Sequence, residues 1–216
     1  MFRWPKGCLY PTTVTRIKRS RWLSACTKGH LLIVPVISGF EYVLIRFHRY
    51  TEPFATKLAK HLYKLCNPST RIAFICCPTA FVGFQHTNPL PGARLLEYDQ
   101  RFSFLAPSQF IPYDINHPDK VPEQLIHSFD IIVADPPFLN LETNEKLAVT
   151  VDKVLKPDGK LMMITSPSVE EVLEKVFAVP PVGPLKRTRL EVKHGQLANA
   201  CACWGSWDGA EDFGSE

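Results

Sequence analysis

The sequence predicts an α/β layered fold with a mostly parallel sheet, and three observations predict it. From residue 53 onward, short apolar runs alternate with segments of helical period. The runs are apolar throughout instead of at every second residue, as in strands covered on both faces. Three of them end on an acid (Glu97, Asp114 and Asp135), and ligands of parallel sheets gather at the carboxyl ends of the strands.

The 216 residues suit one domain, and 45% hydrophobic with 21% charged residues excludes wholesale disorder. The longest apolar run, residues 31–37, is broken by Pro35 and falls far short of the ~20 residues a spanning helix needs. No fixed period runs along the chain, which excludes repeat architectures.

Taken in order, Pro53 suits a first helical turn, and Phe54, Leu58, Leu62 and Leu65 recur on one face, so a helix is expected over 53–65. Residues 71–77 form a buried strand ended by Pro78, with Cys76 and Cys77 inside it. Strands follow at 93–98, 110–113 and 129–134, the last running straight into Asp135-Pro136-Pro137-Phe138. Residues 141–155 read as a helix, 157–159 as a turn and 160–165 as a strand. A helix over 168–177 is expected to be capped by Ser168, with Glu170 and Glu171 in its first turn. Residues 185–192 and 197–207 suggest a terminal antiparallel hairpin, and the acidic, Gly-bearing tail 208–216 is expected to fray.

Charge divides the chain. Nine Lys/Arg against Glu41 put +8 on residues 1–50, so the remainder carries −4 of the total +4. That remainder offers no broad positive field for nucleic acid. Residues 1–49 are a divergent basic segment, expected to be poorly ordered or the product of a mistaken exon. Their Arg-rich start, free of acid through residue 28, is also the composition of a mitochondrial transit peptide, but no amphipathic helix emerges. Seven cysteines without a regular framework fit a reducing, intracellular compartment.

Asp135-Pro136-Pro137-Phe138 carries the chemistry. Two prolines stiffen the backbone and remove two amide donors, so carbonyls and the Asp135 carboxylate form a cluster of acceptors only. Such a cluster suits a nitrogen that presents N–H groups, and Phe138 adds a ring face for a planar base or an amine. The structural alternative is a rigid turn with Asp135 as helix cap. Glu97 can accept both hydroxyls of a ribose, with Asp99 as competitor, or it can be a surface acid paired with Arg101. Asp114 can accept from an adenine amino group while Ile115 packs on the ring, although the same residues serve ordinary turns. No G-x-G-x-x-G follows the first strand, which disfavours NAD, FAD and ATP but not a nucleoside cofactor without phosphates. Cys201 and Cys203 lack the second pair a zinc site needs, and Ser166-Pro167-Ser168 lacks the context of a nucleophile elbow.

These segments resemble the class I S-adenosylmethionine-dependent methyltransferases once labelled N6-adenine-specific, and more narrowly the elongation factor 1-alpha lysine methyltransferase 1 family. The resemblance rests on R-I-A-F-I-C-C-P-T-A-F, L-L-E-Y-D-Q-R-F, F-I-P-Y-D-I-N-H-P, H-S-F-D-I-I-V-A-D-P-P-F-L and the late L-A-N at 197–199. It implies a Rossmann-like, seven-stranded, mostly parallel sheet with helices on both faces and a C-terminal antiparallel hairpin, the methyltransferase domain spanning 50–207. It implies S-adenosyl-L-methionine held by Glu97, Asp114 and Ile115, with Pro78, Tyr98 and Asp99 in the same candidate set. Asp135, Pro136, Pro137 and Phe138 would hold the acceptor amine. The family places an element close to Q-F-W-Y-S before the first helix. Tyr50 and Thr51 fit its last two positions, but His48 and Arg49 stand where aromatics belong.

The leading expectation is a cytoplasmic protein-lysine N-methyltransferase whose partner is translation elongation factor 1-alpha, with no membrane and no metal. The alternatives are adenine-N6 methylation of nucleic acid and a non-catalytic protein that keeps the fold. The acidic balance after residue 50 favours a basic protein partner over a phosphate backbone.

Overall fold

The computed structural model describes the backbone of residues 14–18, 32–35 and 41–45, and residues 50–104, 106–193 and 200–215. The first three segments are strands β1 (Val14–Lys18), β2 (Leu32–Pro35) and β3 (Glu41–Ile45), paired antiparallel in the order β1-β3-β2. Val14, Thr15 and Ile17 supply β-branched residues that the basic composition masks.

The main sheet has seven strands in the order β6-β5-β4-β7-β8-β10-β9. They are β4 (Ile72–Ile75), β5 (Ala93–Glu97), β6 (Phe110–Pro112), β7 (Phe129–Ala134), β8 (Leu155–Thr165), β9 (Lys186–Arg187) and β10 (Ala202–Gly205). The pairs among β4 to β8 are parallel, and β10 runs antiparallel to both β8 and β9. A seven-stranded, mostly parallel sheet with a late antiparallel pair is the architecture expected. Strand order reverses between β4 and β7, which makes the carboxyl ends of those two strands the switch point of the sheet.

Helices α1 (Glu52–Tyr63) and α2 (Pro78–Thr87) cover one face, and α3 (Leu141–Val154) and α4 (Glu170–Val176) the other. Strand residues alternate between the layers. Phe74, Ile131, Val133, Met162, Ile164 and Cys203 pack with α1 and α2, while Ala73, Ile75, Ile132, Leu161, Met163 and Trp204 pack with α3 and α4. Among the described residues, no helix is long and apolar enough to cross a membrane.

Four local expectations change. Pro78 opens α2 instead of merely ending β4, because a proline needs no N–H in a first turn. Ser166, not Ser168, caps the turn before α4, its hydroxyl accepting from the Ser168 amide at 3.2 Å. Residues 157–159 lie inside β8, at an irregular stretch of its ladder with β7. The tail does not fray: Ala210 and Phe213 are buried, the Phe213 ring meets Trp207 and His61, and the Phe213 carbonyl accepts from the Arg189 amide. Gly214 (φ +96°) then runs against the Leu190 backbone, where an added Cβ would come within 2.6 Å.

Candidate active site

The parity of β7 decides where Asp135 points. Ile131 and Val133 face the α1/α2 layer, and Asp135, two residues on, follows the same alternation just past the strand end. Its amide donates to the Ile75 carbonyl at 3.1 Å, which ties the corner to β4. Its side chain is 6% exposed, and Oδ2 accepts a hydrogen bond from the Tyr50 hydroxyl at 2.6 Å. The cluster at this corner therefore includes a donor, contrary to the acceptor-only reading. Sequence reasoning missed Tyr50 because the bond joins residues 85 apart. The signals it did carry were its fit to the Q-F-W-Y-S element and its place directly before the helix cap.

Pro136 is buried, while Pro137 and Phe138 are half-exposed, so the corner opens to solvent through its second half. Asp135 does not cap the next helix. Asn140 does, its side-chain oxygen accepting from the Thr143 amide at 2.8 Å. The purely structural account of this aspartate as a helix cap is thereby removed.

Tyr50 is positioned from both sides. It precedes Thr51, the N-cap of α1, whose hydroxyl accepts from the Phe54 amide. The Thr51 amide donates to the Lys193 carbonyl at 3.1 Å, and the Tyr50 and Phe54 rings lie 5.0 Å apart. His48, Arg49 and the L-A-N segment at 197–199 lie outside the described residues.

Glu97 ends β5 with no exposed surface. Its Oε1 accepts from the amides of Tyr98 (2.9 Å) and Asp99 (3.1 Å), which fixes the carboxylate plane. It is Asp99, not Glu97, that pairs with Arg101: the Arg101 Nε lies 2.9 Å from both Asp99 oxygens, and a terminal guanidinium nitrogen makes a further short contact. Tyr98 is exposed between them. By the same parity as Leu95, Glu97 lies toward the α1/α2 side, as Asp135 does. With β4 between their strands, the two carboxylates stand about two strand spacings apart, ~10 Å.

Between them, β4 ends at Ile75, so Cys76 and Cys77 lie past the strand instead of inside it; the Cys76 backbone is left-handed (φ 56°), and Cys77 leads into Pro78 at the start of α2. Asp114 is half-buried and turned toward Asn116, accepting from its amide at 2.9 Å, and Ile115 is buried beside it. The preceding Tyr113 is anchored to Thr150 of α3, with 2.9 Å between the oxygens. Burial pushes its phenol pKa up, and the nearby Cys76 adds to that. Cys203 of β10 is fully buried; its thiol pKa is raised by burial first, with Cys201 and Asp135 adding to the effect. The structure thus brings Pro78, Glu97, Asp114, Ile115 and Asp135 to one edge of the sheet, and it engages Asp99 with Arg101.

This edge and strand order belong to a methyltransferase fold. The plantazolicin methyltransferase BpumL, solved with S-adenosylhomocysteine, aligns with a TM-score of 0.50 at 10% identity, over 71% of this chain and 82% of that one. Residues 47–209 match the family described as probable N6-adenine methyltransferase, and the chain belongs to that family. EEF1A lysine methyltransferase 1 of Gallus gallus is 35% identical over 161 residues, 72% of this chain and 70% of that protein. Protein-lysine N-methyltransferase M142.8 of Caenorhabditis elegans is 32% identical over 142 residues, and the match spans only 62% of its length. Protein-lysine N-methyltransferase EFM5 of Saccharomyces cerevisiae is 26% identical over 175 residues, 74% of this chain and 69% of that protein. The resemblance read from the motifs holds.

Proposed function

We propose that this chain is an S-adenosylmethionine-dependent protein-lysine N-methyltransferase acting on translation elongation factor 1-alpha. The observation that carries the reading is Asp135, a buried carboxylate at the switch point of the sheet. It is followed by two prolines and an open-sided aromatic, in a chain whose relatives bear protein-lysine methyltransferase names.

The residues present fit the cofactor. Glu97, held by two amides, suits the paired hydroxyls of a ribose, and Ile115 with Asp114 suits an adenine ring and its amino group. The backbone from Cys76 to Pro78 borders the space between Glu97 and Asp135. The cofactor, when bound, supplies an electrophilic methyl group on a sulfonium sulfur. The chain's own task is to present a neutral amine to that carbon. A lysine ammonium, with an unperturbed pKa of ~10.4, must lose its proton first, to water at the half-exposed side of the corner by Pro137 and Phe138. Asp135 and one carbonyl of the Pro136-Pro137 pair would then accept the two N–H bonds of the neutral amine and aim its lone pair, and the Phe138 ring would wall the approach. Transfer to a nitrogen so held would form the N–C bond as the S–C bond breaks, with the electron pair left on sulfur.

The setting we propose is cytoplasmic, in keeping with seven cysteines that show no disulfide framework. The test is transfer of labelled methyl to elongation factor 1-alpha beside adenine-containing DNA and RNA. Label on a lysine is the expected result. Label on adenine N6 would replace this reading with the nucleic-acid one. Cofactor binding without transfer to either would make the chain a non-catalytic member of the fold.

A further inference from the structure

We infer that Tyr50 is a positioning residue of the acceptor site, acting through Asp135; the inference rests on the function proposed above. The hydroxyl-to-carboxylate distance of 2.6 Å is that of a charge-assisted bond. Tyr50 is 8% exposed, so the bond is shielded from competing water. The phenol is itself fixed by Phe54 packing at a tilt against its ring and by the Thr51 amide on Lys193.

The consequence for Asp135 is rotational. An aspartate at the end of a strand has a free χ2, and either oxygen can face the entering nitrogen. With Oδ2 engaged by a donor on the α1 side, the carboxylate plane is set before substrate arrives, and its other edge is directed away from Tyr50. Methyl transfer needs an aligned lone pair, and a misplacement of about 1 Å can cost about a hundredfold in rate. Tyr50 contributes this orientation without touching the amine, which separates its role from that of Asp135. It also gives the chain entering α1 a part in the site, although it lies far upstream of the β7 corner.

Tyr50→Phe keeps the ring against Phe54 and removes only the donor. Its kcat for methyl transfer to elongation factor 1-alpha is expected to fall about 10- to 100-fold. The cofactor Kd by calorimetry should stay within about twofold and the melting temperature within about 2 °C. Parent-like kcat in this variant would overturn the inference. So would a variant that no longer folds, or one whose cofactor affinity falls as far as its rate, because either makes the phenol a structural tie. Asp135→Asn is assayed alongside. Full activity in Asp135→Asn sinks the function proposed for the corner, whereas an inactive Asp135→Asn beside an active Tyr50→Phe sinks the role of Tyr50 alone.

Discussion

Asp130 and Asp135 lie at opposite ends of one strand, and their surroundings differ in kind. Asp130, at the start of β7, takes the Arg71 amide at 2.8 Å on one oxygen and the Lys156 ammonium on the other. Burial alone would raise its pKa, but the Arg71 amide and Lys156 outweigh it and hold the carboxyl below its ordinary value. Among the described residues, Asp135 takes the Tyr50 phenol and is followed by a proline-stiffened turn. The first carboxylate stitches β4, β7 and β8 together at the amino edge of the sheet. The second stands at the carboxyl edge, where parallel sheets bind ligands. One residue type thus does structural work at one end of β7 and, in the function proposed here, chemical work at the other.

The largest expected effect is at the chemical end. Asp135→Ala should lower methyl transfer by about 10²–10³-fold, measured with labelled cofactor, while circular dichroism reports an intact fold. Near-parent activity would erase the contrast. Next, Glu97→Gln should weaken cofactor binding about 10- to 100-fold by calorimetry, since a charged acceptor for hydroxyls is lost. At the structural end, Asp130→Asn should leave transfer near the parent rate and cost about 1 kcal/mol or less in urea melts, because the ion pair is a third exposed.

The sign of the pH dependence follows from the lowered pKa of Asp130. Its contribution is fully present above the unfolded value, near ~3.9, and fades as pH falls through the lower folded value. The stability gap between parent and Asp130→Asn should therefore be constant above about pH 5 and close in stronger acid. The smallest effect concerns Cys66, whose thiol is pushed up to about 11, by burial first and then by Asp130. Its alkylation at pH 8 should be slow, and Asp130→Asn should speed it only slightly.

How much of this was legible in the sequence depends on how far each contact reaches. Strands β4, β5 and β7 were readable because burial on both faces leaves an unbroken apolar run. Glu97 was readable as the acid that ends β5, and its partners Tyr98 and Asp99 are its own neighbours. Helix α2 was not assigned, because Ala80, Phe81, Val82 and Phe84 bury it nearly all round, which removes the one-sided period. Gly83, at its centre, reads as a breaker but serves close approach: an added Cβ would meet the Ala55 Cβ at 2.9 Å. The tail was misread because acidic composition outweighed a single aromatic, Phe213, whose partners His61 and Trp207 come from elsewhere in the chain. Tyr50 belongs to the same class, since nothing local to it announces Asp135.

The place of β10 between β8 and β9 bears on how the molecule is made. Residues 186–187 emerge from the ribosome before residues 202–205, yet among the described residues β9 is hydrogen-bonded in the sheet only to β10. That edge must wait for the later strand to slot in beside β8, while the five parallel strands and the corner after β7 are already synthesised. Assembly of the domain is therefore expected to run from its parallel strands outward, with the last hairpin closing a sheet whose β7 corner is already made.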